Sequence, residues 1–243
     1  MIAVQLYTLR SLLDDRPRVL HALREIGYRT VEVAALTPGT EARFGEELRQ
    51  AGLNACAAHV GLERITKDLD QVAAECRSWG CDYVVVPSVP DSYRSAEGFR
   101  RFAAEAAGLA GRLKAHGLRL AYHNHAFELE RFGERTGLEI VFSDPSIEAE
   151  VDTYWLQFGG VNPASWIRKF KDRTPLVHLK DMAIIRGHPV DAEIGEGNLD
   201  WKDILSACRD ARARWLIVEQ DDPRRDPLES VAMSYAYLQK AVQ

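Results

Sequence analysis

Short apolar runs alternate with longer amphipathic segments along the whole chain. The runs at residues 2–7, 30–34, 54–58, 83–86, 118–124, 147–152, 176–180 and 215–219 have the length and β-branched content of buried strands. Between them, Val19, Leu20, Leu23 and Ile26 follow helical spacing, after Asp14 or Asp15 as cap and Pro17 in the first turn. Residues 41–51, a segment capped by Thr66 and residues 95–115 repeat the pattern, and Gly27, Gly52, Gly80 and Gly117 stand where each helix must stop before the next strand. The second half is less regular. Residues 136–142 read as a short helix or turn, 163–170 as a helix with proline at its start, 181–200 as a long loop, and 201–211 and 227–242 as the closing helices. Eight strands alternating with helices over this length predict a single (β/α)8 TIM barrel covering residues 1–243. An open doubly wound sheet fits less well, because no GxGxxG turn follows the first strand and no P-loop occurs.

The strands end in polar residues with metal-binding capacity. Val151 leads into Asp152, Val177 into His178, Val218 into Glu219, and Leu120-Ala121-Tyr122 into His123-Asn124-His125-Ala126-Phe127-Glu128. A barrel carries its active site at these C-terminal strand ends. Asp152, His178 and Glu219 then converge from the last three strands, a set suited to Mn²⁺, Mg²⁺, Co²⁺ or Zn²⁺. Strand five supplies the fourth ligand, either His123 by position or Glu128 reaching back. A carboxylate there favours Mn²⁺ or Mg²⁺ and a second imidazole favours Zn²⁺; Glu128 is the preferred ligand, which makes Mn²⁺ the preferred ion. Glu219 is the candidate base, with His123 and Lys180 as partner acid or oxyanion stabiliser. His59, His125, Glu32 and Gln220 are candidate substrate contacts. The stretch Gly195-Glu196-Gly197 has the makings of a backbone nest for an anion. A metal ion chelating a carbonyl and its neighbouring hydroxyl would stabilise an enediolate, giving isomerisation, epimerisation or loss of a β-hydroxyl.

Composition narrows the partners. A net charge of -5 argues against nucleic acid, where Lys and Arg dominate contacts. No run approaches the ~18 apolar residues of a membrane span, and the N-terminus lacks a signal-peptide pattern, so a cytoplasmic location is expected. Cys56, Cys76, Cys81 and Cys208 show no CxxC spacing and are read as reduced. Exposed apolar helix faces are compatible with a homo-oligomer.

These motifs resemble the xylose isomerase-like barrels grouped as sugar phosphate isomerases/epimerases, which include inosose dehydratases and ketose 3-epimerases. The resemblance rests on Tyr122-His123-Asn124-His125-Ala126-Phe127-Glu128, Val151-Asp152-Thr153, Val177-His178-Leu179-Lys180-Asp181, Gly195-Glu196-Gly197-Asn198-Leu199-Asp200-Trp201 and Val218-Glu219-Gln220-Asp221. It implies one divalent metal held by Glu, Asp, His and Glu, three of the roles falling on Asp152, His178 and Glu219. The chain departs at strand five, where the epimerases have Glu and this sequence has His123; Glu128 matches the Glu that follows a His-x-His run in dehydratase-like members. The expected activity is a sugar isomerase or epimerase acting on a small sugar, keto-sugar or sugar phosphate, with a dehydratase of a keto-inositol or keto-sugar as the alternative. A DNA-repair endonuclease on the same barrel is disfavoured by the acidity of the chain, and a catalytically silent sugar binder by the intact ligand candidates.

Overall fold

The computed structural model describes residues 1–37 and 39–241. Eight parallel strands form the wall of a closed barrel: β1 (Ile2–Gln5), β2 (Thr30–Val33), β3 (Asn54–His59), β4 (Tyr83–Val86), β5 (Arg119–His123), β6 (Glu148–Asp152), β7 (Leu176–Leu179) and β8 (Trp215–Val218). Each pairs with the next, and β8 returns to β1 through Leu216 opposite Ile2 and Val218 opposite Val4. That last pairing rules out an open sheet.

The helices are α1 (Arg16–Ile26), α2 (Glu41–Ala51), α3 (Leu62–Trp79), α4 (Ala96–Ala115), α5 (Gly137–Val141), α6 (Thr153–Phe158), α7 (Pro163–Lys169), α8 (Trp201–Asp210) and α9 (Pro227–Ala241). The expected last residue of α9, Val242, lies outside the described residues. All four joint glycines take positive φ. At Gly80 (φ +83°) the backbone N–H returns to the carbonyls of Cys76 and Arg77, which closes α3 in the left-handed conformation that a side chain disfavours.

Three expectations are corrected locally, and one helix, α6, has no counterpart among them. β1 ends at Gln5, and residues Leu6–Asp15 coil into 3₁₀ turns before α1. The third helix begins at Leu62, so Thr66 is internal and its hydroxyl donates to the Leu62 carbonyl instead of capping. α6 follows β6 without a loop, because Asp152 both ends the strand and caps the helix by accepting from Trp155 N at 2.8 Å. The loop after β7 folds into a hairpin, Asp181–Ile185 against His188–Ala192. Its turn residues Arg186 and Gly187 both have positive φ, as a two-residue type I′ turn requires.

Strand alternation creates two cores. Val84, Val86, Val151, Val177 and Val218 face the helices and join the large outer core. Ala3, Ala57, Tyr83, Val85, Ala121, Leu176, Trp215 and Ile217 fill the barrel interior. Ala57 beside Tyr83, with Ala3 and Ala121 in the same cluster, leaves room for the large rings in the narrow interior.

Candidate active site

The inward phase of the strands places the chemistry. Side chains two residues apart share a face. Trp215 and Ile217 therefore lead to Glu219, Leu176 to His178 and Lys180, and Ala121 to His123. These apolar residues plug the barrel, so the polar groups stacked above them are cut off from water from below. His178, Asp152, Glu32, Glu150 and Lys180 are fully buried.

His178 is the hub. Its Nδ1 lies 2.8 Å from Glu219 Oε2 and 4.0 Å from Asp152 Oδ2. Its Nε2 lies 2.6 Å from Glu32 Oε2 and 3.2 Å from Glu150 Oε2. Glu32 also accepts from Gln5 Nε2 at 2.8 Å. Glu150 Oε2 sits between three imidazoles, 2.6 Å from His59 Nε2 and 3.2 Å from His123 Nδ1 as well as from His178. Asn124 holds the end of β6 by accepting from Asp152 N at 3.0 Å.

Two overlapping groups of side chains bring potential ligand atoms within 4.8 Å of one another: His123, Asp152, His178 and Glu219, and His59, His123, Glu150 and His178. Asp152 Oδ2 and the Oε1 atoms of Glu32 and Glu150 are buried without a hydrogen-bond partner, and His123 Nδ1 makes only its poorly aligned approach to Glu150. Orphaned buried acceptors are costly, and a divalent cation among them would satisfy several at once. The residues present therefore fit a metal ion.

Three of the four expected ligands, Asp152, His178 and Glu219, meet at this point; Glu128 does not. Its carboxylate accepts from Tyr122 Oη at 2.7 Å and from His125 N at 2.9 Å. Tyr122 belongs to the outward phase of β5 and packs on Phe102 of α4 and on Phe142. Glu128 is thus engaged behind the strand, pinning the loop that presents His125, and the group from β5 that joins the cluster is His123. Burial pushes the Glu128 carboxyl up to about 7, against the pull of its Tyr122 and backbone bonds.

The other candidates fall around the cluster. His59, His123, His125, Glu219 and Asp221 line a cavity of about 420 Å³ together with Tyr7, Ala34, Ala35, Pro87 and Ser88. Ala35 lines it with φ +56°, a strained backbone for alanine of the kind found at functional sites. Glu32 lies beneath, in contact with His178. Lys180 points at Asp221 and lies 5.0 Å from the ring centres of both Tyr154 and Trp155. Gln220 is buried with both side-chain amide atoms unpartnered. Glu150 is absent from the sequence-level candidates, yet its spacing of two from Asp152 marks it as inward-facing. The Gly195–Gly197 nest is filled from within: Asp181 accepts from the backbone N–H groups of Met182, Gly195, Gly197 and Leu199 and from Trp201 Nε1.

Burial sets the proton inventory. It raises Asp152 to about 8, opposed by Lys180 and helped by Glu219. It raises Glu32 to about 7, with Glu150 adding to the rise. For Glu219 and Glu150, burial is overcome by His178, joined by Lys180 at Glu219 and by His59 at Glu150, and both stay well below the usual carboxylate range. The carboxylates in turn overcome burial at His178 and His59 and raise both. Burial and the neighbouring His178 lower His123 to about 4; burial, His123 and Lys180 lower His125 to about 3. Lys180 is raised, since Asp152, Glu219 and Asp221 outweigh its burial.

Comparison with known proteins agrees with this architecture. Residues 20–241 match the family model described as xylose isomerase-like TIM barrel. An inosose dehydratase of Geobacillus kaustophilus is 25% identical over 92% of this chain and 84% of its own length. Among solved structures, a sugar phosphate isomerase/epimerase from Parabacteroides distasonis superimposes with a TM-score of 0.84 at 22% identity, covering 99% of this chain and 98% of the other. An L-ribulose 3-epimerase does so with a TM-score of 0.72 at 19% identity, covering 99% and 94%. With its barrel closed and the matched region reaching from α1 to the end of α9, the chain belongs to the xylose isomerase-like TIM barrel family.

Proposed function

We propose that the protein is a metal-dependent isomerase or epimerase of a small sugar or sugar derivative, working through an enediolate. The observation that carries this reading is the convergence of Asp152, His178, Glu219 and His123 at one end of the barrel, with Lys180 beside them. Asp152 Oδ2, Glu219, His178 Nδ1 and His123 would hold one divalent ion. Two imidazoles and two carboxylates shift the preference from Mg²⁺ toward Mn²⁺, Co²⁺ or Zn²⁺. When bound, such an ion withdraws charge from the oxygens of a carbonyl and its neighbouring hydroxyl, which acidifies the intervening C–H.

The chain's own groups then divide the work. His178 is oriented by Glu32, and Gln5 fixes Glu32 in turn, an arrangement that sets a liganding imidazole's tautomer. Glu219 remains ionised and can accept a proton, though its low affinity for protons makes it a weak base that needs an acidified carbon. Lys180, charged and buried, can stabilise negative charge developing on a substrate oxygen or return a proton to it. His125 is neutral and lines the cavity, positioned to hydrogen-bond a substrate hydroxyl. The plugged barrel floor keeps bulk water from the cluster.

A dehydratase on the same site is the second reading, favoured by the inosose dehydratase similarity over most of the chain. It begins with the same proton abstraction but expels a β-hydroxyl. The test is elemental analysis of the purified protein beside Asp152→Ala and His178→Ala, followed by incubation with ketoses and keto-inositols in heavy water. About one metal ion per chain, lost in both variants, with deuterium entering next to a carbonyl, is the expected result. Recovery of exchanged starting sugar or its isomer supports the first reading, and an ultraviolet-absorbing enone supports the second. Failure to take up any divalent ion would overturn both.

A further inference from the structure

The places where a barrel of this kind grips a phosphate are filled here by the chain's own carboxylates. Barrel enzymes commonly bind a substrate phosphate through the loops after strands seven and eight and a helix N-terminus beside them. After β7, the N–H groups of Gly195, Gly197 and Leu199 converge on one anion, but that anion is the fully buried carboxylate of Asp181. Trp201 Nε1 closes the same cradle at 2.5 Å. A Cβ on Gly197 would stand 2.3 Å from the Asp181 carboxylate, so the glycine is there to admit the internal group. After β8 the chain runs Glu219-Gln220-Asp221-Asp222, and Asp222 N donates to Asp191 at 2.6 Å. The adjoining helix starts are also taken: Asp200 accepts from Asp203 N, and Asp226 from Leu228 N and Glu229 N.

The cavity wall agrees. Among the described residues lining it there is no lysine or arginine, whereas Glu219 and Asp221 both face it. Lys180 is fully buried against Asp221. Arg10 stacks 4.4 Å from the Tyr7 ring centre and donates to the Tyr7 carbonyl instead of lining the cavity. Apart from the metal-capable cluster and the two polar groups His125 and Asp221, the wall consists of Tyr7, Ala34, Ala35, Pro87 and Ser88, a phenol and a hydroxyl among apolar surface.

We infer that the substrate is an uncharged polyhydroxy carbonyl compound, a free keto-sugar or keto-cyclitol, and that its phosphate esters are rejected. The inference rests on the proposed sugar chemistry at this site and names the substrate class for it. Recognition would come from hydroxyl groups meeting Asp221, Ser88 and His125, with the ring or chain lying on Tyr7 and the two alanines. A phosphate would meet Asp221 with Lys180 already paired to it and no further lysine or arginine on the described lining, so the remaining negative charge of Glu219 works as selection against the charged analogue.

The test uses metal-loaded protein and matched pairs: free ketoses with their phosphate esters, and keto-inositols with theirs. Binding is followed by saturation-transfer NMR and proton exchange by deuterium incorporation from heavy water. The expected result is that at least one uncharged compound binds and that its phosphate ester binds roughly tenfold or more weakly. A phosphate ester that binds as tightly as its free partner would overturn the inference, and so would a failure of every uncharged compound to bind. Selective binding of uncharged sugars without proton exchange would uphold the substrate class and sink the enediolate reading, so the two can fail separately.

Discussion

Metal uptake at neutral pH should expel protons, and their number follows from the environment of Asp152. The side chain is fully buried, with Oδ1 capping α6 and Oδ2 unpartnered. Burial raises its carboxyl to about 8. A group with that affinity holds roughly 0.9 proton at pH 7 and about 0.1 at pH 9, and a carboxylate must be deprotonated to act as a ligand. His178 has both ring nitrogens against carboxylates and is itself raised, so freeing Nδ1 for a metal adds up to about one further proton. Binding of Zn²⁺ or Co²⁺ at pH 7 should therefore release between about one and about two protons. From Asp152 alone, affinity should rise roughly fivefold between pH 7 and pH 8 and close to tenfold per unit at lower pH, because each released proton contributes one decade per unit. Titration calorimetry in buffers of different ionisation enthalpy reads the count from the slope of apparent enthalpy. The Asp152 share should fade by pH 9. A slope of zero at pH 7, with binding intact, would refute the assignment of Asp152 as a protonated ligand.

Asp152→Asn should keep the cap on Trp155 while removing metal binding, and it should change the pH profile of the metal-free protein. With its folded pKa above the unfolded value, Asp152 costs stability as pH rises from 3.8 to about 8, so the variant's advantage in thermal unfolding should grow across that window and level off above it. Glu128→Ala should leave metal stoichiometry intact but destabilise the fold by about 1–3 kcal/mol in denaturant titration, since the Tyr122 hydroxyl loses its acceptor; His123→Ala should do the reverse, weakening metal binding with little loss of stability. Lys180→Met should abolish deuterium exchange into substrate while one metal ion per chain is retained, and loss of the metal as well would assign Lys180 a structural role. Asp181→Ala leaves five donors without their acceptor and should cost at least about 3 kcal/mol, read as a lowered denaturation midpoint together with faster amide exchange at Gly195 and Gly197.

Much of this molecule was legible in the sequence because its signals are local. The joint glycines and the apolar runs reflect backbone sterics and period-two burial, which act within a few residues. They suffice for the eight strands, their order and the barrel end that carries Asp152, His178 and Glu219. The hairpin after β7 is not legible in the sequence, because its strands, split by an Arg-Gly turn, carry little of the apolar alternation that marks a core strand.

Which polar groups share the same few ångströms was decided only by the tertiary structure. Glu128 follows the His-x-His run closely enough to reach back, yet Tyr122 draws it to the outer side of β5, and His123 joins the cluster in its stead. Glu150 and His59 lie 91 positions apart and meet at 2.6 Å because β3 and β6 face each other across the barrel. The Gly195–Gly197 turn reads as a nest for an external anion until the fold folds Asp181 into it. The side of a wall on which a side chain lies follows from local alternation. What it meets there is set by barrel closure, which joins residues that no sequence spacing relates.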